Sequence, residues 1–142
     1  MHSARGVTLV ELMTCLGLLA LLAGWTAPVV GGAVDAHRVQ GAVADVYGAV
    51  HLTRTRARAT GVMHALVIEP GGRAFRLVED PTGAATTVVG PSPFADGAVA
   101  SANTTIRFSP KGFAVPFGTI TVRAGPEVRR VIVSLVGRVR VA

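Results

Sequence analysis

From Leu12 to Val34 the chain carries no charged side chain, and this run of 23 residues is preceded by one carboxylate, Glu11, and by a basic start ending at Arg5. At 1.5 Å per residue a helix of this length crosses the roughly 30 Å hydrocarbon core of a bilayer. The sequence therefore predicts that residues 7–34 form the membrane-embedded half of an N-terminal helix. Glu11 is the oddity, because a charged side chain at mid-bilayer costs roughly 2.5–3.5 kcal/mol or more and calls for a partner or a function. A secretory signal would explain the basic start. It would not explain the length or Glu11, and no small-x-small cleavage site follows the run. A plain anchor explains the length alone. For Glu11 the simpler alternative is a carboxylate that snorkels to the headgroup level.

Composition bounds the remainder of the chain. With 142 residues, 50% hydrophobic and a mean hydropathy of +0.51, there is room for one membrane helix and one small head, 35–142. Aromatics are only 5%, so the head core must be built mainly from Val, Leu, Ile and Ala. Cys15 is the single cysteine and lies in the apolar run, which excludes an intramolecular disulfide and reads as packing. Fourteen Lys and Arg against eight Asp and Glu give a net charge of +6. That balance is compatible with a polyanion or an anionic membrane, as a weak and unspecific signal.

Past the apolar run the pattern stays helical. Val39, Val43, Val46, Tyr47, Val50 and Ala57 recur at three- and four-residue steps, an amphipathic continuation ending near Gly61. Pro28, among Gly24, Gly31 and Gly32, is expected to loosen the helix. From Val62 the period changes to that of strands. Residues 62–69 and 73–79 flank Pro70-Gly71-Gly72 and read as a hairpin. Residues 80–103, rich in Gly, Pro, Ser, Ala and Thr with a β-prone piece at 86–89, read as a long surface loop. Strand-like runs come next at 104–109, 119–123, 128–135 and 138–141. The expected fold class is α+β, one long N-terminal helix packed on an antiparallel β-sheet head.

No catalytic constellation is visible. His2, His37, His51 and His64 have no metal-ligand spacing, and His51 and His64 read as edge-of-core residues. Glu69-Pro70-Gly71-Gly72-Arg73 lacks the Gly-Lys-Ser/Thr ending and the helix of a phosphate loop. Neither an enzyme, a metal site nor a cofactor is expected. Arg54, Arg56 and Arg58 read as a solvated helix end, their charges favourable near a helix C-terminus. Arg138 and Arg140, two apart on a strand, project to one face while Val139 and Val141 turn to the other.

The start Arg5-Gly6-Val7-Thr8-Leu9-Val10-Glu11-Leu12 resembles the processing site of type IV pilins and type II secretion pseudopilins. The resemblance implies a leader, 1–6, removed by prepilin peptidase after Gly6, with methylation of the new N-terminus at Val7. The family usually has Phe there, so Val7 is a conservative departure. It also implies that Glu11 faces the N-terminal amine of a neighbouring subunit during assembly, where two charges costly in lipid become cheaper together. A Pro like Pro28 is usual in these helices.

In the second half, Ile106-Arg107-Phe108-Ser109-Pro110-Lys111-Gly112-Phe113, then Gly118-Thr119-Ile120-Thr121-Val122, and the ending from Val131 to Arg140 are similar to the GspH/FimT branch of minor pilins and pseudopilins, as is the Ala-Arg-rich 52–59. The implied role is structural, in a type II secretion pseudopilus or a type IV pilus. The implied partners are other pilin or pseudopilin subunits, prepilin peptidase, the inner-membrane assembly platform and the lipid bilayer. The implied location is a single pass of the bacterial inner membrane with the head in the periplasm. Some FimT-type minor pilins contact DNA through Gly-Arg-x-Arg, and Gly137-Arg138-Val139-Arg140 matches that pattern. DNA uptake with double-stranded DNA as a partner is therefore an alternative function, since Arg can fork hydrogen bonds onto phosphate. The other reading of the same arginines is an edge strand guarded by charge.

Overall fold

The computed structural model describes residues 8–94 and 97–142, and of 25–30 the backbone alone. The chain divides into two compact units at Val34 and Asp35. One helix, α1 (Leu9–Thr60), is assigned without a break. In the first unit the described leucines and Met13 are exposed on every side, Leu9, Leu16, Leu19 and Leu22 among them. Among the described residues no helix is long and apolar enough to cross a membrane. The side chains of residues 25–30, inside the apolar run, lie outside that description.

The second unit is the head. Val39, Ala42, Val46, Ala49, Val50, Thr53 and Ala57 are buried, at steps of three and four that form one stripe. Tyr47 departs from the expected face: it is exposed and its ring packs on His51, with centroids 4.6 Å apart. The buried Thr53 hydroxyl donates to the Ala49 carbonyl at 2.6 Å. The helix ends where expected. Gly61, at φ +72°, donates its N–H to the Ala57 carbonyl at 3.2 Å, a left-handed C-terminal cap.

Eight strands follow, β1 (His64–Ile68), β2 (Ala74–Glu79), β3 (Thr86–Pro93), β4 (Val99–Ala102), β5 (Ile106–Phe108), β6 (Gly118–Ala124), β7 (Glu127–Val133) and β8 (Val139–Val141). They form two four-stranded sheets, ordered β3-β2-β1-β5 and β4-β6-β7-β8, with antiparallel pairing throughout. The hairpin predicted across Pro70-Gly71-Gly72 is β1–β2, with Leu66 opposite Leu77 and Glu69 paired to Arg76 at 3.2 Å. β6 alternates as a half-buried strand should, with Ile120, Val122 and Ala124 inward. Leu77, Ile106, Phe108, Val131 and Val133 complete one core with the helical stripe.

Three sequence expectations need correction. The span 80–103 is no open loop, since it contains β3 and β4. β3 carries Gly90, Pro91 and Pro93 and β4 is Val-Ala-Ser-Ala, so both lack the usual apolar alternation. β3 tolerates its prolines because it is an edge strand, where a missing N–H costs no ladder bond. His51 is exposed. His64, expected at a core edge, is fully buried, with Nδ1 3.0 Å from the Val62 carbonyl oxygen.

Candidate functional site

At the N-terminal motif, Gly6 and Val7 lie outside the described residues. Thr8 stands before the first turn of α1: its hydroxyl accepts the Glu11 N–H at 3.3 Å and its carbonyl the Leu12 N–H at 3.1 Å. Thr8 is thus a helix N-cap. Glu11 falls in the first turn, where the positive end of the helix dipole favours a carboxylate. The Glu11 carbonyl also accepts the Thr14 hydroxyl at 2.8 Å. Thr-x-x-Glu is a capping signature readable in sequence, and it gives Glu11 a local electrostatic setting beside any role in assembly.

At the C-terminal motif the four residues separate into two jobs. Gly137 is buried at φ +77°. A Cβ there would stand 2.8 Å from Arg54 Nε and 3.0 Å from the Gly112 carbonyl oxygen. Gly137 is required by the fold, in a turn where its N–H donates to the Ser134 carbonyl at 2.8 Å. Arg138 and Arg140 are exposed, and Val139 packs against the core. Arg138 precedes β8, its N–H donating to Ser134 Oγ at 3.1 Å. Arg140 lies opposite Ile132. Arg138 and Arg140 thus sit just before and within β8, both exposed, and Val141, expected on the opposite face, is exposed as well.

The group 54–58 is not simply a solvated helix end. Arg54 is half-buried, and it donates through Nε to the Gly112 carbonyl at 3.0 Å and through Nη2 to the Val136 carbonyl at 3.1 Å. It ties the last turns of α1 to the β5–β6 connection and to the β7–β8 turn. Arg58 is the exposed member. Periodicity could not reveal this clamp, because the acceptors are carbonyls 58 and 82 residues away in sequence.

A cleft of about 470 Å³ lies between β1 and β4, lined by Leu66, Ile68, Val99 and smaller residues, with Glu69 as its titratable group. Among the described residues no three His, Cys, Asp or Glu side chains gather as metal ligands. The arrangement offers capping, packing and surface charge.

The model of the type II transport protein GspH family matches residues 42–137, and that of the prokaryotic N-terminal methylation motif matches residues 1–27. No curated protein matches the chain in sequence. Among solved structures, the minor pseudopilin EpsH from the type 2 secretion system of Vibrio cholerae superposes with a TM-score of 0.61 at 12% identity, over 74% of this chain and 96% of its own. The type IV minor pilin FimU of Pseudomonas aeruginosa superposes with a TM-score of 0.60 at 12% identity, over 75% and 89%. At such identities the likeness is one of fold. The DNA-uptake alternative draws no support from any of these matches. With the methylation motif at its start and the GspH match across its helix end and head, the chain belongs to the GspH family of minor pseudopilins and minor pilins, structural subunits of type II secretion systems and type IV pili.

Proposed function

We propose that the chain is made as a precursor, cut by prepilin peptidase after Gly6, methylated at Val7, and held in the bacterial inner membrane by residues 7–34 with its head in the periplasm. From there it joins a pilus or pseudopilus through the assembly platform as a structural subunit and not as an enzyme. The observation that carries this reading is the methylation motif over residues 1–27, joined to a segment whose described leucines are all exposed. Apolar side chains exposed all round a helix call for lipid or for other apolar helices. In the filament, Glu11 pairs with the amine of a neighbouring Val7 and so neutralises a charge that lipid disfavours.

Mass spectrometry of the membrane-borne protein tests processing. The N-terminus is expected at Val7, carrying a methyl group, and Gly6→Val should leave the precursor uncut. Recovery of chains beginning at Met1 from cells with active prepilin peptidase would refute the proposal.

A further inference from the structure

The chain has five phenylalanines, and in so aromatic-poor a protein the core would gain from all of them. Phe108 is fully buried, whereas Phe113 and Phe117 are 43% and 61% exposed. Between them Val115 is exposed as well, while Ala114 is buried. The Ala114 N–H donates to the Leu135 carbonyl at 2.9 Å, which sets this segment beside the β7–β8 turn. There Leu135 and Val136 are exposed as well. Five exposed large apolar side chains thus lie on the two loops that Arg54 clamps through Gly112 and Val136, and such surfaces mark interaction sites.

The surroundings are charged with one sign. Segments 52–61, 104–118 and 128–142 contain no Asp or Glu. Arg58, Arg107, Lys111 and Arg138 come from these segments, and the ion pairs among the described residues are Arg38–Asp35 and Arg76–Glu69. Among the described residues, Arg58, Lys111 and Arg138 form no ion pair. An apolar, aromatic centre within a charged rim is the anatomy of a protein interface. Phosphate binding would use the arginines and leave the phenylalanines idle.

We propose that this patch, centred on Phe113 and Phe117, docks the head of a different pilin-type subunit that presents apolar side chains within a rim of Asp and Glu. The proposal rests on the filament role given above. The Arg54 clamp holds the two loops that build the patch, so the surface is formed before the partner arrives.

The test uses the full chain in its own membrane, with p-benzoylphenylalanine placed singly at position 113, at 117, or at Thr82, an exposed control in the β2–β3 turn. Irradiation is expected to give a covalent adduct with another processed pilin subunit from 113 and 117 and none from 82. Phe113→Ser with Phe117→Ser should lower the amount recovered with filaments by about tenfold, the scale for truncated interface anchors, while the N-terminus stays at Val7. Lys111→Glu with Arg138→Glu should also lower it, and Asp or Glu to Arg changes at the cross-linked partner site should restore it. Adducts only with DNA, with lipid or with a second copy of this chain would overturn the proposal. So would the absence of any adduct, or full recovery of the double serine variant. A wild-type chain that never enters filaments would instead defeat the filament role, and this surface with it.

Discussion

Gly137→Ala is the most informative single change, because its cost has two separable parts. Alanine at φ +77° pays roughly 1–2 kcal/mol for the left-handed conformation. Its Cβ, 2.8 Å from Arg54 Nε, also displaces the guanidinium and breaks its bonds to Gly112 and Val136. Hydrogen bonds from charged donors contribute about 1.5–3 kcal/mol when buried. Arg54 is only half-buried, so about 1 kcal/mol for each is the better figure. The expected total is about 3–4 kcal/mol. Arg54→Met alone keeps most of the apolar stem and should cost about 2 kcal/mol. In the double variant the clamp is already lost and the flexible methionine can move away, so Gly137→Ala should then add only its backbone part and its 3.0 Å approach to the Gly112 carbonyl oxygen, which both backgrounds share. The coupling is about 2 kcal/mol, well above the ~0.5 kcal/mol within which independent sites add. Urea-dependent proteolysis of the full chain in detergent micelles measures all four corners of the cycle. Additive costs would show that Gly137 and Arg54 do not act together, and a neutral Gly137→Ala would refute the positive-φ reasoning as well.

Leu77→Ala, in the fully buried middle of β2, should cost about 2–5 kcal/mol by lost burial and residual cavity, seen as a lower urea midpoint in the same assay. His64→Leu should lie within about 1 kcal/mol of wild type in that assay, because two opposing effects meet there. It removes the Nδ1 bond to Val62 but also a buried Nε2 that has no partner. Glu11→Gln should leave the protein in the membrane fraction and reduce its recovery with filaments, because it keeps the shape and removes only the charge. Quantitative immunoblotting of membranes and sheared filaments checks both halves of that outcome.

Where local chemistry decides the structure, the sequence is readable. Gly61 marks the end of α1, and Pro70-Gly71-Gly72 marks the β1–β2 reversal, since each position needs a conformation that few residue types adopt. The four later strand runs correspond to β5, β6, β7 and β8. The first half of β3 is the β-prone piece 86–89, but its second half and β4 are hidden because their pairing comes from partners, not from their own pattern: Val-Ala-Ser-Ala is a strand because β6 offers it Ile120 to Arg123 in register. Division into two sheets is hidden for the same reason. Of the candidate site, Thr-x-x-Glu at 8–11 carries a capping signal, and Arg138 and Arg140 are exposed as charged side chains usually are. Gly137 and Arg54 look like parts of a basic motif and a basic helix end. Their real connection runs through the Gly112 and Val136 carbonyls, which only tertiary structure brings together.

The sheet edges bear on how such a head can join its neighbours. An unblocked edge strand can pair with another chain. β3 is interrupted by Pro91 and Pro93, which offer no N–H to an incoming strand. At β5, Phe108 bridges Ala114 and the Arg107 carbonyl accepts the Val115 N–H at 2.7 Å. At β4, the Ala100 N–H is held by the Gly72 carbonyl at 2.7 Å. β8 has three residues and carries Arg140, with Arg138 just before it, so the arginines serve the edge whether or not they touch a ligand. With each edge shortened, bridged or charged, strand addition is a poor route to assembly. The surfaces left for neighbours are side-chain surfaces: the apolar helix of the first unit and, at the head, the patch around Phe113 and Phe117. A filament held by side-chain contacts can accept a minor subunit at one defined place, because the match of apolar centre and charged rim differs from partner to partner. Backbone pairing, which every strand offers alike, would not make that distinction.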